Sequence, residues 1–112
     1  MMGVATGLAK AGYVPFVYSI ANFAVFRPLE FIRNGPIYHN LQVRIVGVGR
    51  ETEYEHDGYT HHTPLGEDIR VLRAIGGITL LRPATDAEAV RMLNENWRRE
   101  GPVYFSLSKH SS

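Results

Sequence analysis

The chain has 112 residues, 45% of them apolar and 21% charged, which fits one globular domain with a real core and argues against disorder. Twelve basic side chains against eleven acidic ones, with no run of either sign, exclude a strongly basic binder of nucleic acid or membrane surface, and the lack of cysteine excludes disulfides and thiol chemistry. The longest apolar run, residues 14–25, is broken by Ser19 and Asn22 and is too short to cross a bilayer, and no basic region precedes an apolar one at the start, so a cytoplasmic protein is expected.

In chain order, Val4, Leu8 and Ala11 share a helical face that Gly12 should end. Residues 14–19 read as a strand buried on both faces, and residues 20–26 as the loop that follows it. Pro28 suits the first turn of a helix carrying Leu29, Phe31 and Ile32, with Gly35-Pro36 kinking or ending it. Residues 43–49 form a second strand whose glycines allow close backbone approach at its carboxyl end. Thr63 and Pro64 then open a helix with Leu65, Ile69, Leu72 and Ile75 on one stripe, closed by Gly76-Gly77. Residues 78–81 are a third strand. Thr85-Asp86-Ala87-Glu88 is a capping box that opens a helix with Ala89, Val90, Leu93 and Trp97 as its expected buried face, and residues 103–107 form a fourth strand. Helices alternating with short apolar strands predict one α/β domain over 1–112, a three-layer sandwich with a mainly parallel sheet and ligands at the carboxyl ends of its strands.

The polar run 51–68 interrupts the apolar pattern and contains Asp57-Gly58-Tyr59-Thr60-His61-His62. It can be a plain solvated connection, an acid-base site, or a metal site drawn from His56, Asp57, His61 and His62, although their spacing matches no common zinc pattern. A nucleophilic triad is disfavoured, since there is neither cysteine nor a Gly-x-Ser-x-Gly elbow. Phe23 and Phe26 follow the first strand and Tyr18 lies just before them. Aromatics at this spacing are commonly core, yet at a strand's carboxyl end a flat ring can also stack on a heteroaromatic cofactor.

Taken in order, Gly12-Tyr13-Val14-Pro15-Phe16-Val17-Tyr18-Ser19, Asn22-Phe23, Arg27, Glu30-Phe31-Ile32-Arg33-Asn34, residues 43–49, Asp57-Gly58-x-Thr60-His61, Leu81-Arg82-Pro83-Ala84-x-Asp86 and Gly101-Pro102-Val103-Tyr104 resemble the pyrimidine-binding domain of the transketolase family. That family includes deoxyxylulose-phosphate synthase and split transketolase subunits, and the Asp-Gly-x-Thr-His element is the most specific part of the likeness. The resemblance implies a thiamine-diphosphate-binding fold, with the cofactor held between this domain and a partner's diphosphate-binding domain or subunit, which also holds magnesium. It implies that Phe23 packs on the aminopyrimidine, with Phe26 and Tyr18 as neighbours, and that Asp57 and His61 face the sugar substrate. Lys109 stands near the place where family members meet a substrate phosphate. His56 and His62 match no role, and Tyr59 replaces a usual proline.

The family's cofactor-activating glutamate lies ahead of the helix that corresponds to residues 2–11, whereas no acidic residue here precedes Glu30. The expectation is therefore a domain lacking its N-terminal part: a component of a transketolase-like enzyme that moves a two-carbon ketol unit between sugars or sugar phosphates, inactive alone and working in a homo- or hetero-oligomer. The alternative is a non-catalytic α/β interaction module, or truncated subunit, that docks on a partner chain. Either way, apolar surface should be left exposed.

Overall fold

The computed structural model describes residues 1–49 and 66–108. Its elements run α1 (Met2–Lys10), β1 (Phe16–Ile20), α2 (Ala21–Val25), α3 (Leu29–Ile32), a π-helical turn (Arg33–Ile37), β2 (Arg44–Val48), α4 (Glu67–Ile75), β3 (Thr79–Leu81), α5 (Asp86–Asn96) and β4 (Val103–Leu107). The strands form one all-parallel sheet in the order β1-β2-β4-β3. In this order the step from β1 to β2 and the step from β3 to β4 run in opposite directions across the sheet. Right-handed crossovers then place α2 and α3 on one face and α5 on the other.

The two faces are covered unequally. Val17, Ile45 and Tyr104 alternate onto the first face, where they pack with Met2 and Ala5 of α1, Val25 of α2, Ile32 of α3 and Leu72 of α4. The second face presents Phe16, Val46, Phe105 and Leu107, and an apolar gap of about 240 Å³ separates them from Ala89, Val90 and Leu93 of α5. The expected buried face of α5 is therefore not buried: Val90 is 59% exposed, Leu93 and Trp97 are exposed, and Asn96 is the buried residue of the helix. Strand β1 is an edge strand with Phe16 and Tyr18 turned outward, so it is buried on one face rather than two.

Three further local features differ from the sequence reading. Helix α1 turns Met2 and Ala5 into the core and leaves Val4 and Leu8 exposed, and its Thr6 packs so close to Gly35 that a side chain there would meet Thr6 Oγ1 at 2.7 Å. Gly35-Pro36 does not end the helix that carries Ile32. The backbone widens into a π-turn, with Tyr38 N donating to Arg33 O at 3.0 Å and Leu41 N to Pro36 O at 2.9 Å, and the wider ladder accommodates a ring that has no N–H. Residues 21–25 are helical rather than a loop, since they contain neither Gly nor Pro and bury Ala21, Ala24 and Val25.

Helix α4 opens at Glu67, after Gly66 with φ +66°, and closes at Gly76 with φ +80°. The expected cap at Thr63 and Pro64, and Leu65 of the expected stripe, lie outside the described residues. The α5 cap forms at the expected residues, with a shifted return bond: Glu88 N donates to Thr85 Oγ1 at 3.1 Å, and Glu88 Oε2 accepts from Ala84 N at 3.3 Å rather than from Thr85 N. Beyond the helix, Arg44 is wholly buried at the start of β2 and donates to the carbonyls of Trp97 (3.0 Å), Arg99 and Gly101 (2.7 Å). This clamps the turn between α5 and β4. Burial pushes the guanidinium pKa below its ordinary value, and its partners at this turn are carbonyl dipoles.

Candidate functional site

The strand register decides which segments leave the sheet together. Ile20 pairs with Val48, and Val48 pairs with Leu107, so β1, β2 and β4 end side by side, with neighbouring strands about 4.8 Å apart. From these three ends the chain passes into α2, into residues 50–65 and into residues 108–112. Asp57, His61, His56 and His62 belong to the second of these segments and Lys109 to the third, and all lie outside the described residues.

At the first exit the chain turns straight from β1 into α2, and Phe23 is the third residue of that helix. Its half-buried ring lines a cavity of about 340 Å³ together with Met1, Met2 and Gly3 at the start of α1, and Arg27, Pro28 and Phe31 around the start of α3. The lining offers flat and thioether surfaces suited to a planar heteroaromatic group and, among the described residues, no carboxylate. The Arg27 guanidinium carbon lies 4.3 Å from the Phe23 ring centroid, in cation–π range. Arg27 was visible in the sequence without a role. It stands two residues beyond the end of α2, in the turn that leads to α3, and reading residues 20–26 as a loop hid the helix that turns Phe23 toward it.

The other two aromatic candidates are placed elsewhere. Phe26 is half-buried and does not line the Phe23 cavity. Tyr18 is 71% exposed on the second face of the sheet, opposite the face that α2 covers, so the structure does not bring it to Phe23. Among the described residues no three His, Asp or Glu side chains stand close enough to hold a metal ion together.

A polar contact missed in the sequence lies inside the first face. Tyr104 is fully buried and its hydroxyl donates to Asp68 Oδ2 at 2.5 Å, with Asp68 only 3% exposed in the first turn of α4. The same phenol crosses Gly47, where a side chain would collide with the hydroxyl and would lie 3.0 Å from Ala21 Cα, the start of α2. Gly47 is thus a point of close approach, as its place in the second strand suggested.

The family model for the transketolase pyrimidine-binding domain matches residues 1–112. Over 107 residues the chain is 34% identical to a 6-deoxy-6-sulfo-D-fructose transketolase subunit of a Clostridium species, covering 96% of this chain and 33% of that protein. It is 30% identical to an apulose-4-phosphate transketolase subunit of Actinobacillus succinogenes, covering 96% of this chain and 34% of that one. Among solved structures, a split-gene transketolase in an inactive beta4 tetramer superposes with a TM-score of 0.84 at 32% identity, over 98% of this chain and 34% of that one. The transketolase of Campylobacter jejuni superposes with a TM-score of 0.85 at 21% identity, over 98% of this chain and 17% of that one, and shares the fold. The chain spans about a third of the length of the curated relatives it matches. With its parallel sheet, its helices and its whole length accounted for by that match, the chain belongs to the transketolase pyrimidine-binding domain family.

Proposed function

We propose that this chain supplies the pyrimidine-binding half of a thiamine-diphosphate-dependent, transketolase-like enzyme that moves a two-carbon ketol unit between sugars. The observation that carries the reading is Phe23, in the helix that directly follows β1, on the wall of a mostly apolar cavity that it shares with Arg27. In this reading Phe23 packs on the aminopyrimidine, and magnesium and the diphosphate are held by the diphosphate-binding domain of a partner chain in the cytoplasm. The chemistry that thiamine diphosphate supplies when bound is a nucleophilic thiazolium carbon able to store the electron pair of a cleaved carbon–carbon bond.

Asp57 accepts a hydrogen bond from a ketose hydroxyl and so orients the sugar. His61, whose ordinary pKa lies near neutrality, donates to the substrate oxygen that gains charge and exchanges its proton as the bond breaks. Lys109 faces an anionic end of the substrate, as a point charge rather than a bidentate fork. The names of the relatives support that last role, since one refers to a sulfonated sugar and another to a sugar phosphate. Among the described residues no carboxylate lines the Phe23 cavity to act on the pyrimidine ring, so the isolated chain is inactive in this reading.

Calorimetry with thiamine diphosphate, magnesium and a diphosphate-binding partner chain tests the proposal. Binding should be present and should weaken about tenfold or more in Phe23→Ala, the loss expected for one buried aromatic contact. Absence of cofactor binding, or binding indifferent to Phe23, would favour the reading of a docking module, to which the exposed apolar residues of β1 and α5 also point.

A further inference from the structure

All four strands run parallel, an arrangement that proteins use where both faces of the sheet are covered. Among the described residues, however, α5 is the one helix on the second face, and as the crossover from β3 to β4 it leaves the β1–β2 half without a helix. In the strand register Tyr18, Val46 and Phe105 form one row across that face, and Phe16 begins the row before it at the open edge. Beside this strip stands an apolar ridge on α5. Val90, Leu93 and Trp97 recur at spacings of three and four, so they share one side of the helix, and all three are exposed. The ion pairs of Arg91 with Glu88 and Glu95 lie off that ridge.

A bare apolar strip and an apolar ridge side by side are complementary to themselves under a two-fold axis. With the axis in the interface and along the strands, α5 of each copy lies over the β1–β2 half of the other, and the two helices share one layer between two sheets. The lengths agree: eleven residues of helix span about 16 Å and five residues of strand about 17 Å. The area agrees as well. Phe16, Tyr18, Val90, Leu93 and Trp97 are 38% to 71% exposed, which for side chains of this size leaves about 500 Å² of apolar surface per copy. Two copies would bury about 1,000 Å² through these side chains alone, the size at which specific interfaces begin. A net charge of +1 raises no appreciable repulsion between copies.

We propose that the second face is an interface between two copies of this chain, each seating its α5 ridge on the other's β1–β2 strip. The proposal is independent of the proposed function: the Phe23 cavity is built from α1, α2 and the start of α3, and it stays open to a diphosphate-binding chain.

Sedimentation of the chain from about 5 to 500 μM should show a monomer–dimer equilibrium with a dissociation constant on the order of 10 μM. Trp97 is the sole tryptophan, so its emission should move to the blue over the same range. Tyr18→Glu and Val90→Glu each put a charge into the interface and should weaken the dimer at least about tenfold, while Val4→Glu on the outer side of α1 should leave it within about twofold. Both interface positions are exposed in the monomer, so the variants should keep the parent's circular dichroism. Val90→Ala, which favours the helix, should weaken the dimer about threefold without adding a charge.

Mixing Tyr18→Glu with Val90→Lys tests the axis. The mixed dimer holds one Glu–Lys contact and one unaltered contact, so it should form about tenfold more tightly than either variant with itself. A strict monomer at the highest concentration, a dimer indifferent to both Glu substitutions, or no preference for the mixed dimer overturns the proposal. So does a monomer that uses Tyr18 and Val90 to bind a diphosphate-binding chain, since the face would then belong to that partner.

Discussion

Gly47 shows how a single position can tie a strand to its neighbours. A methyl group there would meet the Tyr104 hydroxyl and crowd Ala21 Cα, both parts of well-packed elements. Gly47→Ala should lower stability by about 1–3 kcal/mol, read as a shift in the urea midpoint at constant slope. The glycines of the second strand were legible as places of close approach, but Tyr104 as the intruder was not. The approach of the Tyr104 side chain to Gly47 exists only because β4 inserts beside β2, a fact of strand order that no local pattern encodes. Tyr18 carries the same lesson for the site. It is near Phe23 in sequence, yet strand alternation puts it on the opposite face from Val17.

Among the elements, α5 separates what periodicity tells from what it leaves out. Its start was written in the capping box, and Thr85→Ala should cost about 1 kcal/mol in thermal or urea unfolding, the usual value of such a cap. Its apolar side was also legible, because the spacing of Ala89, Val90 and Leu93 needs only a helix. How closely that side approaches a sheet is set by the sizes and positions of groups far away in sequence, and here a gap remains. The stretch after β1 failed differently. Five residues are too few for a visible helical period, and tertiary burial of Ala21, Ala24 and Val25 holds the helix that propensity leaves undecided. The Asp-Gly-x-Thr-His element was legible as a motif because its residues are contiguous, whereas the Phe23 cavity takes its wall from three segments.

For the whole molecule, the unequal faces predict unequal sensitivity. Leu72 is fully buried on α4, which packs against α2 and β3, while Leu93 faces the gap and is 39% exposed. Leu72→Ala should destabilise by about 2–5 kcal/mol and Leu93→Ala by less than about 1 kcal/mol, a contrast that urea denaturation of the two variants resolves. The Arg44 clamp has a further consequence, in the order of folding. Its carbonyl partners lie 53 to 57 residues along the chain, so the clamp closes only after α5 and the entry to β4 have been brought alongside β2. We predict that the clamp closes on the native side of the rate-limiting barrier. Arg44→Met should accordingly speed unfolding on the order of tenfold and leave the refolding rate nearly unchanged in stopped-flow measurements, so that the buried arginine governs how long the domain stays folded rather than how fast it gets there.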